Sequence, residues 1–231
     1  MSGVVSRAVR VAIDGPGGAG KTSVARAVAD MLGVECLDTG AMYRAAAAAV
    51  LRRGVDPADR ETVAAVASEV VGTIEVTRGA VYVEELEVTE EIRGAAVTGS
   101  VSAVAANVDV RELMVERQQK WAAERDGCVM EGRDITTVVL PDADVRVYLT
   151  AEAAVRARRR SGESGGNEAA VRAALSERDR RDSTRAHNPL PPPGDLPTGV
   201  RVIDTTSRAV GEVVAEIMQL VENAQRAFGD E

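Results

Sequence analysis

An α/β fold with a parallel sheet covered on both faces is what this sequence predicts, and three observations carry the prediction. Short apolar runs alternate with longer stretches of helical spacing along the chain. A glycine-rich turn joins the first apolar run to the first helical stretch. Asp38-Thr39, Gly132-Arg133-Asp134 and Asp204-Thr205 each follow a strand-like run directly. That is where open parallel sheets gather their ligands.

The elements follow in order. Val9 to Ile13 is a first strand, and residues 20–32 space Val24, Val28 and Leu32 four apart, a helix stopped by Gly33. Residues 34–38 form a second strand. A helix over 41–53 carries the five alanines Ala45 to Ala49, all strong helix formers, and ends at Gly54. A further helix is expected over 59–71. Thr73 to Thr77 then alternates with period two, Arg78-Gly79 turns, and Val81-Tyr82-Val83 returns, which predicts a β-hairpin module inserted into the parent domain. Helical texture resumes over about 89–106 and 110–124. Strands are expected at 128–131, 145–149 and 200–204, making five in the main sheet, and a last helix over about 207–228.

The glycine-rich turn, Gly15-Pro16-Gly17-Gly18-Ala19-Gly20-Lys21-Thr22, matches G-x-x-x-x-G-K-[ST]. Glycines let a loop wrap a phosphate chain with its backbone N–H groups pointing inward, and the following helix N-terminus adds its positive end. Lys21 is expected on the β/γ-phosphates and the Thr22 hydroxyl on the accompanying Mg²⁺. With Ser23, these residues form the expected triphosphate site. Lysine usage agrees: of 28 Lys and Arg residues only Lys21 and Lys120 are lysines, leaving 26 arginines. A chain that uses arginine almost everywhere keeps a compact point charge at this position.

Residues 152–185 hold nine arginines: 156, 158, 159, 160, 172, 178, 180, 181 and 185. The glycine-rich stretch between Arg160 and Glu168 reads as a flexible tip, so two arginine-bearing helices form a flap suited to phosphates. A positioned arginine is worth on the order of 10³–10⁵ in phosphoryl transfer, and closure excludes water.

Composition sets bounds on the remaining classes. At 231 residues the chain fits one domain with an inserted module. Its 45% hydrophobic content is mostly Ala and Val with 2% aromatics, so the core is packed from small residues. No apolar run approaches the roughly 20 residues of a membrane span, no secretory leader is visible, and a net charge of −8 argues against nucleic acid as partner. One histidine, His187, excludes His-based triads. Cys36 and Cys128 sit in strand-like runs and read as buried, reduced thiols of a cytoplasmic protein. No strip of large exposed apolar residues stands out, and a monomer is expected.

Beyond the phosphate loop the chain resembles the bacterial cytidylate kinases over nearly its full length. The stretches carrying the likeness are Ile13-Asp14-Gly15-Pro16, Leu37-Asp38-Thr39-Gly40-Ala41-Met42-Tyr43-Arg44, Glu91-Ile92-Arg93, Ser102 with Arg111, Glu131-Gly132-Arg133-Asp134-Ile135, Pro141-Asp142-Ala143, Arg178-Asp179 and Asp182-Ser183-Thr184-Arg185-Ala186. The resemblance implies a three-layer P-loop NTPase fold with a central five-stranded parallel sheet. Its core covers about 1–60, 107–155 and 185–231, with a monophosphate-binding insert at about 61–106 and a lid at about 156–178. It implies phosphorylation of CMP and dCMP by ATP with Mg²⁺. Arg44 and Arg133, assisted by Arg93, would hold the monophosphate. Ser102, Arg111 and Asp134 would face cytosine. Thr39 would join the acceptor site, and Asp182 with Arg178 and Tyr43 would bind the pentose. Lys21, Arg133, Arg156, Arg159 and Arg185 would act on the transferring phosphoryl. Asp38 is placed either to cap a helix or to stand beside Mg²⁺.

The chain departs from the family pattern at Thr136, where a glycine is expected after E-G-R-D-I. A β-branched residue does not take positive φ cheaply, so an altered turn is expected there. Asn107-Val108-Asp109 also lacks an expected proline, and Pro191-Pro192-Pro193 is unusual. Two other readings stand beside this one: another pyrimidine nucleoside monophosphate kinase, and a nucleotide-switched regulatory P-loop ATPase. The second usually shows a four-residue apolar run ending in Asp, or N-K-x-D, and neither is convincing here.

Overall fold

The structure, a computed structural model, describes residues 8–164 and 167–229. Five strands, β1 (Arg10–Asp14), β2 (Glu35–Asp38), β6 (Cys128–Glu131), β7 (Val145–Thr150) and β8 (Val200–Asp204), form a parallel sheet in the order β2-β6-β1-β7-β8. Side chains alternate between its faces, as strand geometry requires. Val11, Ile13 and Val129 point to one face, under α1 (Lys21–Leu32) and α8 (Val210–Gly229); Ala12, Cys128 and Met130 point to the other, under α2 (Thr39–Arg52) and α5 (Val108–Ala123). This is the expected three-layer α/β arrangement.

Between α2 and α5 lie α3 (Arg60–Val70), a small antiparallel sheet of β3 (Glu75–Val76), β4 (Val81–Val83) and β5 (Leu86–Glu87), and α4 (Ala95–Ala106). The expected hairpin therefore gains a third strand. Glu84 and Glu85 make the β4–β5 turn at φ 51 and 66, a left-handed conformation that two glutamates do not advertise. The helix expected over 89–106 is instead a short 3₁₀ turn (Glu91–Arg93), then Gly94, then α4. Helix α2 starts at Thr39 because Asp38 caps it, accepting the Ala41 N–H at 2.9 Å. Helix α5 starts at Val108, two residues early, because the Asn107 side chain accepts the Asp109 N–H at 3.1 Å and donates to the Arg60 carbonyl at 2.8 Å. An asparagine cap starts the helix in the segment that lacks the expected proline.

Helices α6 (Ala153–Ser164) and α7 (Glu168–Thr184) pack on each other as the arginine-bearing pair. Four residues of the expected tip, Ser161 to Ser164, are still helical, and Gly165-Gly166 lie outside the described residues. The triple proline leads into a short 3₁₀ turn, Pro193–Asp195, and α8 begins at Val210 rather than near 207. Both thiols are free, but Cys36 is only half-buried. Among the described residues no helix is long and apolar enough to cross a membrane.

The alanine run fills the centre of the α2 face: Ala45 through Ala48 are fully buried against α3 and α4. Interiors pack close to crystal density, so added methylenes there have no room. Ala46→Leu is expected to cost about 1–3 kcal/mol and to lower the thermal midpoint by several degrees in a melting experiment. An unchanged midpoint would show space that the packing does not contain.

Candidate active site

The phosphate loop leaves β1 at Asp14 and enters α1 at Lys21. Gly15, at φ +145, passes so close to β7 that a Cβ would lie 2.1 Å from the Leu149 carbonyl oxygen, and Gly20, at φ +90, caps α1 without a side chain. Both positions need glycine. The Lys21 ammonium donates to the Pro16 carbonyl at 3.1 Å and lies 4.0 Å from the Glu131 carboxylate. Burial and the neighbouring Arg133 charge push its pKa down to about 7, with Glu131 opposing. The Thr22 hydroxyl donates to Glu131, and Thr39 donates to the Glu131 carbonyl at 2.8 Å.

Glu131 is a residue that sequence reasoning quoted without a role. It closes β6 beside β1, so an apolar strand ending in a carboxylate next to the phosphate loop is present after all. Three apolar residues and a glutamate stand where four and an aspartate were sought. Burial raises its pKa, as does Asp38, while Lys21 and Thr22 pull it down.

One cleft, with about 1060 Å³ of empty space, opens from this loop. Its walls bring together Gly17, Gly18, Gly20, Lys21, Thr22 and Ser23 with Thr39, Tyr43, Arg44, Ser102, Arg111, Arg133, Asp134, Arg178, Asp182 and Arg185. Loop residues Pro16 and Ala19 support the wall from behind; the Ala19 carbonyl accepts the Thr205 hydroxyl at 3.1 Å. At the far end Arg111, 1% exposed, pairs with buried Asp134, donates to the Ala105 carbonyl at 3.3 Å, and lies 5.5 Å over the Tyr43 ring. The Tyr43 hydroxyl is buried without a partner, and its pKa is raised by burial.

A cationic belt crosses the middle of the cleft. Arg44 holds Asp38 at 3.0 Å, and Arg133 holds Asp182 at 3.0 Å. Arg178 lies 4.0 Å from Asp182, an i,i+4 pair on α7; burial and Arg133 lower its pKa to about 10. Burial pushes the Asp182 carboxyl up, but Arg133, Arg178 and Arg185 outweigh it and hold it low. Arg185 donates to the Asn188 carbonyl at 2.6 Å and keeps one nitrogen buried and unpartnered. Guanidinium forks so arranged match phosphate oxygens.

Three expected arginines stand elsewhere. Arg93 is an exposed residue of the 3₁₀ turn, 3.4 Å from Glu90. Arg159 donates to the Thr205 hydroxyl and carbonyl, at 3.0 and 2.6 Å, behind the loop. Arg156 donates to the Gly17 carbonyl at 2.9 Å and pairs with Asp179, whose carboxylate accepts the Gly17 N–H at 3.1 Å. Asp179 and Leu175 thus seat α7 on the phosphate loop, and Arg160 joins the cleft wall. A run of four arginines within 156–160 cannot tell which of them faces inward; helix phase decides.

Mg²⁺ binds through one or two protein oxygens, completing its shell with water and phosphate. The Thr22 hydroxyl and the Glu131 carboxylate suit that demand. Among the described residues no group of three His, Cys, Asp or Glu side chains forms a closed metal cage.

The buried pair at the end of the cleft yields a stability prediction. Arg111→Met leaves the Asp134 carboxylate buried without its partner and is expected to cost about 3–5 kcal/mol in urea unfolding. Arg111→Met combined with Asp134→Leu should recover most of that loss. An equal loss in the double variant would place the cost outside the pair.

Comparison with known proteins sets this site in context. A sequence model described as cytidylate kinase matches residues 11–223. The chain is 46% identical over 218 residues to a cytidylate kinase of Rhodococcus opacus, covering 91% of this chain and 93% of that one. It is 44% identical over 224 residues to a cytidylate kinase of Mycobacterium leprae, covering 94% and 97%. Among solved structures, a gluconokinase from Sinorhizobium meliloti superposes with a TM-score of 0.54 at 14% identity, covering 97% of this chain and 98% of that one, a likeness of fold alone.

Proposed function

The chain belongs to the cytidylate kinase family, and on that premise we propose that its cleft transfers the γ-phosphoryl group of ATP to the phosphate of CMP and dCMP, with Mg²⁺. The observation that carries the reading is the Arg111–Asp134 pair buried at one end of a cleft whose other end is the phosphate loop. Cytosine offers an amino donor beside the acceptors N3 and O2. A carboxylate for the first and a guanidinium for the others form a matching set, with Ser102 on the same wall. Uracil turns a carbonyl toward Asp134, and a buried polar mismatch of that kind discriminates strongly.

The residue roles follow from position in the cleft. The backbone from Gly15 to Ser23, with Lys21, holds the ATP phosphates. Arg44 and Arg133 hold the acceptor phosphate, and Arg178 with Asp182 and Tyr43 holds the pentose. Thr22 and Glu131 would hold Mg²⁺, which supplies charge neutralisation between the donor phosphates. Arg185 and Arg160, on the α6–α7 side, face the phosphates. Arg156 supports this from behind by fixing the Gly17 carbonyl. Arg93 reaches the acceptor only if its turn moves inward. We assign residues 61–106 as the acceptor-binding insert and 156–178 as the lid.

The proposed setting is a cytoplasmic monomer. Its two free thiols suit a reducing compartment, and among the described residues the exposed large apolar ones, Met31, Leu86, Val108, Val202 and Val210, are spread over five elements. Sedimentation should give the 24.2 kDa of one chain; twice that mass rejects the monomer.

ADP production from Mg·ATP with CMP, dCMP, UMP, AMP or dTMP offered singly tests the activity. CMP and dCMP are expected to turn over fast and UMP at least about 10²-fold less efficiently, with Asp134→Ala removing most of the difference. Equal rates with UMP leave a broader pyrimidine kinase. ADP formed as fast with no acceptor contradicts the kinase reading and favours a regulatory ATPase.

A further inference from the structure

Asp14 is 1% exposed at the end of β1, one residue before the phosphate loop. Its carboxylate accepts three hydrogen bonds from one short segment: the Ile135 N–H at 2.9 Å, the Thr136 N–H at 2.7 Å and the Thr136 hydroxyl at 2.7 Å. That segment is a wide π-type turn, Ile135–Val139, which follows Arg133-Asp134 without a break. The Asp134 carbonyl accepts the Val138 and Val139 N–H groups at 2.9 and 3.2 Å, so the turn is tied at both ends. Thr136 is fully buried and adopts no positive φ. The alteration expected from replacing glycine is therefore not backbone strain but an added donor.

That donor has an electrostatic task. Asp14 and Asp134 are both buried; burial above all, and the Asp134 charge to a lesser degree, raise the Asp14 pKa, while the Thr136 and Ile135 donors oppose that rise. A carboxylate in so dry a site is costly unless donors hold it. Asp134 has Arg111. Among the described residues Asp14 makes no ion pair, though the Lys21 charge is felt nearby; its bonded donors are two amides and the Thr136 hydroxyl. With a glycine at 136 one of the three donors is lost.

We propose that Thr136 is a positioning residue for acceptor specificity: its hydroxyl, acting through Asp14, fixes the turn that presents Arg133 and Asp134 to the acceptor nucleotide. The inference rests on the proposed role of Asp134 at the cytosine edge. Thr136 touches no substrate. It gives the buried Asp14 carboxylate its third donor, and it links the donor loop to the acceptor turn through one side chain.

Steady-state kinetics of Thr136→Val, Thr136→Ala and Thr136→Ser, each with CMP and with UMP, tests this. Valine keeps the shape and loses the hydroxyl; alanine loses it without a branch should the valine protein fail to fold; serine keeps it. Loss of the hydroxyl is expected to raise the KM for CMP about tenfold and to shrink the CMP-to-UMP preference by a similar factor, with the KM for ATP within about twofold of wild type. Serine should restore both. An unchanged preference in the valine or alanine variant overturns the inference, even with a lowered melting point, because a merely structural hydroxyl changes stability without changing the choice of base. An equal rise in the KM of ATP and CMP overturns it too. Wild-type protein that is idle toward CMP overturns the proposed function itself and this inference with it.

Discussion

A carboxylate out of full contact with water must find donors, and three adjacent strands of this sheet each end in one, two of them buried and the third half-buried. Asp38, Glu131 and Asp14 close β2, β6 and β1, which lie side by side. Register brings Asp38 level with Glu131 and Glu131 level with Ile13. Leaving such charges unpaired costs far more than a surface ion pair gains. The chain therefore bends its loops toward them. Thr22 and Lys21 come to Glu131, Arg44 and the start of α2 come to Asp38, and the 135–139 turn comes to Asp14. The cleft is the space those loops enclose.

The same requirement explains the balance of charge. A chain of net charge −8 is not a phosphate binder by bulk electrostatics. It becomes one locally, because Glu131 and Asp38 at the strand ends draw Lys21 and Arg44, and Asp182 on α7 draws Arg133, Arg178 and Arg185, to one wall. Several of these cations sit in partial desolvation, which lowers the pKa of Lys21 and Arg178. A phosphate entering the cleft meets charge that water has already left, where each contact counts for more.

Much of the fold was legible because it rests on local rules. Strand runs, Gly33 and Gly54 as stops, and the phosphate loop all follow from short-range chemistry. What escaped depends on long-range partners. The β4–β5 turn uses Glu84 and Glu85 at positive φ, which no turn signature announces. Which arginine of 156–160 faces the cleft depends on how α6 packs: Arg160 lines it, while Arg156 grips the loop from outside and Arg159 holds Thr205 behind it. Glu131 was hidden by a strand one residue shorter than the pattern sought. Thr136 was visible as a departure, yet only Asp14, 122 residues away in sequence, gives it meaning.

The most direct test is a crystal structure with CMP and a non-hydrolysable ATP analogue bound together. The account predicts triphosphate wrapped by Gly15 to Thr22, acceptor phosphate on Arg44 and Arg133, and the cytosine amino group within hydrogen-bond distance of Asp134 while Arg111 remains paired to it. A base seated away from Arg111 and Asp134, with CMP held by phosphate contacts alone, would contradict it.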